Sequence, residues 1–312
     1  MAKRIVISGA TGFIGRTLCR DLCDQYEIVA LSRDAKRAAN LLGDHAQVCE
    51  WDGRTASFWS AQVDGAYAII NLAGENVGQG RWTQAKLDSI AQSRSSGAVA
   101  VVDAVAAVKN KPALVIQGSA VGYYGSRGDE ILTESSAPGA SFLADVCRRC
   151  ESIATRVEKQ GVRYVAIRTG IVLGRDGGAL PRLMMPFRFF LGGYVGTGKQ
   201  WFPWISLEDE VRAIRFLLEN PSLQGAFNLT SPHPATLKQV ARSLGQALRR
   251  PAWFRTPALA VRLAMGRMVD ETLLASHRAI PQRLTDAGFQ FEHSQLDSAF
   301  AAILQGENYE SE

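Results

Sequence analysis

The sequence is poor in the residues that build metal centres and disulfide frameworks. Its 312 residues include five cysteines and four histidines. An odd and sparse set of cysteines favours reduced thiols over disulfide bonds. No two histidines have the i, i+4 spacing that places both side chains on one face of a helix as metal ligands. We therefore expect free thiols and no metal site.

Long apolar runs and a leader sequence are also lacking. No segment approaches the length of apolar chain that spans a bilayer, and the N-terminus shows no basic region, apolar run and cleavage site in succession. The 35 basic residues are scattered among 30 acidic ones, with no aromatic-studded basic stripe. The expectation is a cytoplasmic protein that binds neither membrane nor nucleic acid, with a homodimer left open as its assembly.

The most informative segment is the beginning of the chain. An apolar, β-branched run from Lys3 to Ser8 leads into Gly9-Ala10-Thr11-Gly12-Phe13-Ile14-Gly15, and a helical pattern follows. In a strand-turn-helix unit such glycines allow a tight turn, a close approach to a pyrophosphate and close helix packing, while the N–H groups that begin the helix face the phosphates. A second strand, Glu27 to Leu31, follows at the βαβ distance. The pattern predicts dinucleotide binding; a tight turn in another α/β protein is the alternative. The candidate residues are Gly9, Thr11, Gly12, Phe13, Ile14 and Gly15.

The end of the second strand indicates which dinucleotide is bound. Enzymes that select NAD place an acidic residue there for the ribose hydroxyl, whereas this chain has Ser32 and Arg33, with Lys36 and Arg37 nearby. A guanidinium forms forked bonds to a 2′-phosphate, which an acid would repel. NADP is the predicted cofactor. The alternative is that Arg33 is an ordinary solvated charge.

Strand-like and helical segments alternate up to residue 170, and the alternation then stops. It predicts an α/β fold with a doubly wound Rossmann parallel sheet, whose ligands bind at the carboxyl ends of the strands. Residues 174–205 are rich in Gly, Pro and aromatic residues, and helical patterns follow near 208–219, 236–248 and 257–265. We assign residues 1–173 to a nucleotide-binding domain and expect 207–230 to return to it. Residues 174–206 and 231–305 would form a smaller, α-rich domain on the substrate side.

Several further motifs together resemble a known family. The glycine turn, Asn71-Leu72-Ala73-Gly74-Glu75-Asn76 and Gly118-Ser119-Ala120 resemble the extended short-chain dehydrogenase/reductases. More narrowly, Arg81-Trp82, Ser93-Arg94, Phe142-Leu143-Ala144, Arg168 to Gly174, Phe202 to Ile205 and Ile280 to Leu284 look like the atypical nucleoside-diphosphate-sugar epimerase-like family, whose members carry an additional C-terminal domain of unknown function.

This resemblance implies a set of contacts with NADP. By it Ser32, Arg33, Asn71, Leu72 and Arg94 contact the cofactor, and Asp52 meets the adenine. It places the nicotinamide near Ser119, Gly170 and Ile171. The matched motifs add the remaining candidates for cofactor binding, which are Ala73, Gly74 and Arg168.

The usual catalytic pair of that family is missing. Typical members hold Tyr-x-x-x-Lys on the helix after the fifth strand, where the phenol passes a proton during hydride transfer. If Glu151 is the glutamate that often ends the motif, Leu143 and Cys147 occupy the two positions. Ser119 matches the usual serine, and Tyr123 or, failing that, Tyr124 is the candidate substitute acid. Packing of both tyrosines in the loop is the alternative.

Other motifs are weaker. Residues 193–199 have the spacing of a phosphate-binding P-loop, but Gln200 stands where Ser or Thr should bind magnesium. We interpret the segment as a loop that brings Lys199, Trp201 and Trp204 to a substrate cleft, with aromatic packing as the alternative. Cys147 and Cys150 have the C-x-x-C spacing but lie within a predicted helix without a second pair.

Two classes of function remain open from the sequence. One is an NADP-dependent oxidoreductase or epimerase-like enzyme that acts on a small carbonyl or hydroxyl compound. The other is an NADP(H)-binding sensor or interaction protein that has lost turnover with the Tyr-Lys pair.

Overall fold

A computed structural model describes residues 2–305 of the chain. The strands are β1 (Lys3–Ser8), β2 (Tyr26–Ser32), β3 (Gln47–Glu50), β4 (Ala68–Asn71), β5 (Leu114–Ala120), β6 (Ile131–Leu132), β7 (Arg163–Thr169), β8 (Ile171–Gly174), β9 (Gly177–Gly178), β10 (Gly193–Val195), β11 (Trp201–Phe202), β12 (Trp204–Ser206), β13 (Gly225–Leu229), β14 (Ala235–Thr236), β15 (Phe254–Thr256) and β16 (Arg278–Ala279).

The α-helices are α1 (Phe13–Leu22), α2 (Ala35–Leu42), α3 (Ser60–Val63), α4 (Gln84–Ala107), α5 (Phe142–Ala154), α6 (Leu180–Arg188), α7 (Leu207–Glu219), α8 (Leu237–Ala247), α9 (Ala258–Met265), α10 (Met268–Glu271), α11 (Gln282–Asp286) and α12 (Leu296–Gln305). Short 3₁₀ segments follow α2, β5 and α5.

Most of the long helices begin directly after a residue whose side chain caps the first turn. Asp34, Thr83, Ser141, Ser206 and Thr236 each accept a hydrogen bond from a backbone N–H of the helix that follows. Such caps satisfy N–H groups that have no partner within the helix. Helix α1 differs, because its N-cap residue is Gly12, which has no side chain to cap it.

A seven-stranded sheet in the order β13-β7-β5-β4-β1-β2-β3 forms the centre of the fold. All its pairings are parallel. The strand order reverses between β1 and β4, so a crevice opens there at the carboxyl edge of the sheet. The predicted doubly wound Rossmann fold is confirmed.

Apolar side chains fill both faces of this sheet. One layer packs α1 and α7 against strands through residues such as Leu18, Ile70 and Ile214. The other packs α4 and α5 through residues such as Val101 and Cys150. Because both faces are covered, the strands carry continuous apolar runs rather than alternating ones.

The C-terminal part of the chain has a separate core of its own. Phe187, Phe202, Trp204, Leu244 and Phe300 are buried there with their neighbours from α6, α8 and α12. Strand β13 lies beside β7 in the large sheet, while β8, β9 and β12 form a three-stranded sheet of their own. Among residues 2–305 no helix is long and apolar enough to cross a bilayer.

Candidate functional site

The turn between β1 and α1 has no room for a side chain at Gly9 or Gly15. Gly9 has a φ of +71°, and a β-carbon there would lie 2.7 Å from the carbonyl carbon of Leu72. At Gly15 it would lie 2.3 Å from the carbonyl oxygen of Gly9. Gly12 is exposed and extended, so the uncapped N–H groups at the start of α1 remain available to a ligand. This arrangement, with the positive end of the helix dipole, suits a phosphate group.

An open cavity of about 440 Å³ runs from this turn along the carboxyl edge of the sheet. The residues that line it come from the glycine turn, the ends of β2, β3 and β4, and one face of α4: Gly9, Thr11, Gly12, Leu31, Ser32, Arg33, Asp34, Arg37, Ala38, Trp51, Asp52, Gly53, Arg54, Leu72, Ala73, Gly74, Glu75, Ser89, Gln92, Ser93 and Ser96. The predicted cofactor-binding residues that line this cavity are Gly9, Thr11, Gly12, Ser32, Arg33, Asp52, Leu72, Ala73 and Gly74. Their contacts with NADP stay predictions.

Three arginines line this cavity together with three acidic residues, Asp34, Asp52 and Glu75, of which Glu75 pairs with Lys86. Arg33, Arg37 and Arg54 line its far end. Asp34 accepts a bond from the backbone N–H of Arg37 at 2.9 Å, so its carboxylate is used as a helix cap.

Asp52 is likewise held within its own loop. Its carboxylate accepts bonds from the hydroxyl of Thr55 at 2.9 Å and from the backbone of Arg54 and Thr55. These hydrogen bonds lower the pKa of Asp52. The bond from the Thr55 backbone has the largest effect, burial opposes it, and the bonds from the Arg54 backbone and the Thr55 hydroxyl add to it. Asp52 therefore lines the cavity, but its carboxylate is already hydrogen-bonded within the loop after β3.

The ends of β5 and β7 lie side by side near the other end of the crevice. Ser119 pairs in register with Arg168. The Ser119 hydroxyl donates to Oε1 of Glu151 at 2.6 Å. Gly170 follows directly, and a β-carbon there would lie 2.5 Å from the carbonyl oxygen of Pro203, so only glycine fits. Ile171 is partly exposed beside it.

Helix α5 offers no acid or base at the two positions of the missing pair. The side chain of Leu143 lies close to Gly122, where an added β-carbon would meet it at 3.4 Å. Cys147 is buried beside Ser119. Burial raises the pKa of the Cys147 thiol, although contact with Ser119 opposes this, so the thiol stays neutral.

The structure corrects the roles predicted for Tyr124 and Arg168. Tyr124 is fully buried. Its hydroxyl donates to Asn228 at 2.6 Å, and burial raises its pKa to about 12, so it is no substitute acid for a substrate in the cleft. Arg168 is 5% exposed and forms a two-pronged ion pair with Glu151, so its guanidinium does not reach the cofactor. Tyr123 is partly exposed, with its ring 3.5 Å from the Arg168 guanidinium carbon.

Asn71 and Arg94 are not among the residues that line the cavity. Asn71 is 1% exposed and bonds Ser8 and Gln117, which ties β1, β4 and β5 together. The guanidinium of Arg94 donates to the backbone oxygen of Glu75 at 3.0 Å and supports the loop after β4. The buried Asn71 side chain therefore ties strands together rather than reaching a ligand, whereas contact of the partly exposed Arg94 with NADP stays a prediction.

The side chains of Phe13 and Ile14 also turn away from the cavity. Phe13 packs on the hairpin of β8 and β9, where β-carbons at Gly174, Gly177 and Gly178 would meet its ring at 2.5–2.8 Å. Ile14 packs against the sheet core. Any contact of these two residues with a ligand is therefore through their backbone N–H groups.

The three predicted substrate residues lie in different surroundings. Trp204 is 1% exposed in the C-terminal core, so its assignment to a cleft is wrong and the packing alternative holds. Trp201 is partly exposed and donates to Asp129 at 2.8 Å. Lys199 is exposed.

Sequence reasoning missed a polar stripe on α4 and the arginine at position 54. Ser89, Gln92, Ser93 and Ser96 face the cavity. Their i, i+3, i+4, i+7 spacing is that of one helix face, so the signal was present in the sequence. Nothing local indicated Arg54, because it reaches the cavity through the loop after β3.

The fold and this cavity together define a Rossmann-type nucleotide-binding protein. The chain belongs to the NAD dependent epimerase/dehydratase family, whose model matches residues 5–230. A second model, described as a domain of unknown function (DUF1731), matches residues 256–303. The family resemblance seen in the sequence is confirmed.

Similar proteins cover nearly the whole chain. An epimerase family protein of Mycobacterium leprae is 36% identical over 297 residues, which is 95% of this chain and 94% of that protein. The chloroplastic SDR39U1 homolog of Arabidopsis thaliana is 35% identical over 96% of this chain and 86% of its own. The crystal structure of human epimerase family protein SDR39U1 (isoform 2) with NADPH matches with a TM-score of 0.87 at 29% identity, covering 97% of this chain and 99% of that one.

Proposed function

We propose that the protein is an NADP-dependent oxidoreductase of the atypical extended short-chain dehydrogenase/reductase type, acting on a small carbonyl or hydroxyl compound. The observation that carries the cofactor assignment is the cavity that joins a glycine turn to three arginines. The turn suits a pyrophosphate, and the arginines suit a 2′-phosphate. The human relative was solved with NADPH, which supports the same choice.

At the other end of the crevice, Ser119 and Tyr123 supply hydroxyl groups that could bind a substrate oxygen or transfer a proton to it. A bound NADP(H) would supply or accept the hydride. Ser119 presents a hydroxyl beside the predicted nicotinamide position, and Tyr123 presents the nearest partly exposed phenol on the same loop. Tyr123 is therefore retained as the candidate proton donor for carbonyl reduction.

The second candidate is an NADP(H)-binding sensor without turnover. One observation favours it: Leu143 and a buried, neutral Cys147 occupy the positions of the usual catalytic pair. A sensor needs affinity for the nucleotide but no group that transfers a proton.

Turnover separates the two candidates. The protein should be incubated with NADPH and a panel of small aldehydes, ketones and quinones, and with NADP⁺ and small alcohols, while nucleotide absorbance is followed. Ser119→Ala should lower turnover, and Tyr123→Phe should lower carbonyl reduction. Tyr26→Phe, at the opposite edge of the sheet, is the matched control. Tight NADPH binding with no turnover of any compound would favour the sensor.

The cytoplasmic location and the homodimer stay predictions. Gel filtration with light scattering tests the second directly.

A further inference from the structure

A buried row of polar groups leads inward from Ser119. The Ser119 hydroxyl donates to Oε1 of Glu151 at 2.6 Å. Glu151 in turn accepts from Nε of Arg168 at 3.0 Å and from Nη2 at 2.8 Å. The side chains of Arg168 and Glu151 are only 6% and 11% exposed. Ser119 is partly exposed, so it is the member of the row that a ligand can reach.

Several neighbours hold the Arg168 guanidinium in place, and its ion pair with Glu151 then holds the Glu151 carboxylate in place. Its Nη1 donates to the hydroxyl of Tyr124 at 3.0 Å and to the backbone oxygen of Glu134 at 3.2 Å. Its guanidinium carbon lies 3.5 Å from the centre of the Tyr123 ring. A forked ion pair held in this way has little freedom to rotate away from Ser119.

The direction of the Ser119 bond follows from this pairing. A carboxylate paired with arginine can only accept hydrogen bonds, so the hydroxyl proton of Ser119 must point to Glu151. The lone pairs of the Ser119 oxygen then remain for donors, which are the neighbouring Cys147 thiol and a ligand at the exposed side. Polarising a carbonyl would require Ser119 to turn its proton outward and give up the bond to Glu151. Ser119 is therefore set to accept a hydrogen bond from its substrate rather than to donate one.

From this we infer that Ser119 and Glu151 form a proton relay that suits oxidation of a substrate hydroxyl, an inference that rests on the oxidoreductase function proposed above. The substrate O–H bond breaks and its proton passes to the Ser119 oxygen, while the proton of Ser119 passes to Oε1 of Glu151. A bound NADP⁺ would accept the hydride as the substrate C–H bond breaks and the C=O bond forms. The products would be the carbonyl compound and NADPH, and once the product leaves, the proton on Glu151 returns through Ser119, the exposed member of the row, to solvent. The substrate class is a small alcohol, and Glu151 is a positioning residue that acts through Ser119. With this relay Ser119, rather than Tyr123, exchanges the proton with the substrate in both directions of the reaction.

Kinetics of the intact protein test the relay. Cyclohexanol, a small secondary alcohol with a single hydroxyl, is the probe. With NADP⁺ and cyclohexanol, Ser119→Ala and Glu151→Gln should each lower kcat by about 10²-fold or more, because general acid–base groups contribute on that scale. The double variant should be no slower than the worse single variant, since the two groups act as one unit.

A matched control separates the relay from general support of the fold. Glu27→Gln alters another carboxyl that is paired with an arginine, because Glu27 accepts from Nε of Arg4 at 3.3 Å, and it lies at the opposite edge of the sheet from Ser119. It should leave kcat nearly unchanged. If Glu151→Gln does not fold, Ser119→Ala still tests the relay, because it leaves the ion pair intact.

Binding supplies a readout that needs no turnover. In the NADPH complex cyclohexanol has no hydride acceptor, so ligand-observed NMR can measure its dissociation constant. Loss of the hydrogen bond to Ser119 should weaken binding about two- to tenfold in Ser119→Ala.

The outcomes distinguish this inference from the proposed function. Carbonyl reduction without alcohol oxidation would keep the oxidoreductase and overturn the relay. Alcohol oxidation that is unaffected by Glu151→Gln, additive losses in the double variant, or unchanged cyclohexanol binding in Ser119→Ala would also overturn the relay alone. Absence of turnover in both directions would overturn the oxidoreductase and the relay with it.

Discussion

Removal of the Arg33 guanidinium should reduce the preference of the protein for NADPH over NADH. Arg33 is exposed at the end of β2 and lines the cavity, with its side chain packed over Gly53, where an added β-carbon would lie 3.5 Å from the Arg33 Cδ. A 2′-phosphate in that part of the cavity would meet a cation on each side, because Arg37 and Arg54 also line it.

The size of the effect follows from these neighbours. A hydrogen bond to a charged group contributes about 1.5–3 kcal/mol, which corresponds to about ten- to a hundredfold in affinity. Two further arginines share the site, and solvent screens exposed charges. We therefore expect Arg33→Ala to weaken NADPH binding by about tenfold, while NADH binding, which lacks the 2′-phosphate, stays nearly the same.

Calorimetric titration of both nucleotides measures this directly. Lys36→Ala is the matched control, because Lys36 is an exposed cation three residues along that does not line the cavity. Raising the salt concentration should weaken NADPH binding more than NADH binding. Equal dissociation constants for the two nucleotides in the unmodified protein, or equal losses in Arg33→Ala and Lys36→Ala, would refute the reasoning.

Two further predictions concern the glycine turn and a buried acid. Gly12→Val should abolish NADPH binding without unfolding the protein, because a β-carbon there meets only the Gly9 oxygen, at 3.1 Å. Gly15→Val should instead destabilise the fold, because a β-carbon there would lie 2.3 Å from the same oxygen. Calorimetry measures the binding and thermal melting the stability, and normal NADPH binding by Gly12→Val would contradict the prediction. Burial raises the pKa of Glu210 from 4.5 to about 8, so the carboxyl is neutral in the folded protein and ionised in the unfolded chain between these values, and stability falls as pH rises through that window. Glu210→Gln should remove this loss of stability, which is about 3 kcal/mol at pH 7. Urea unfolding of the unmodified protein and of Glu210→Gln at pH 5 and pH 7 measures it, and the same pH dependence in both would count against the prediction.

The sequence was sufficient for the features that depend on neighbouring residues. The predicted first strand, Lys3 to Ser8, has the bounds of β1, because a β-branched run ends at a glycine whose positive φ excludes other residues. Ser32 and Arg33 were placed at the cavity because the end of β2 faces the crevice in any sheet of this order. Alternation of strands and helices was enough to predict the doubly wound sheet.

Which side chains are exposed was decided by the tertiary structure. Tyr123 and Tyr124 are adjacent in the sequence, yet one is partly exposed and the other is fully buried. Trp204 could not be distinguished from a cleft residue before α6, α8 and α12 were seen to enclose it. The Ser119–Glu151–Arg168 row joins residues 32 and 17 positions apart. Local pattern sets backbone conformation, but burial and hydrogen-bond partners depend on which distant elements pack together, and only the folded chain contains that information.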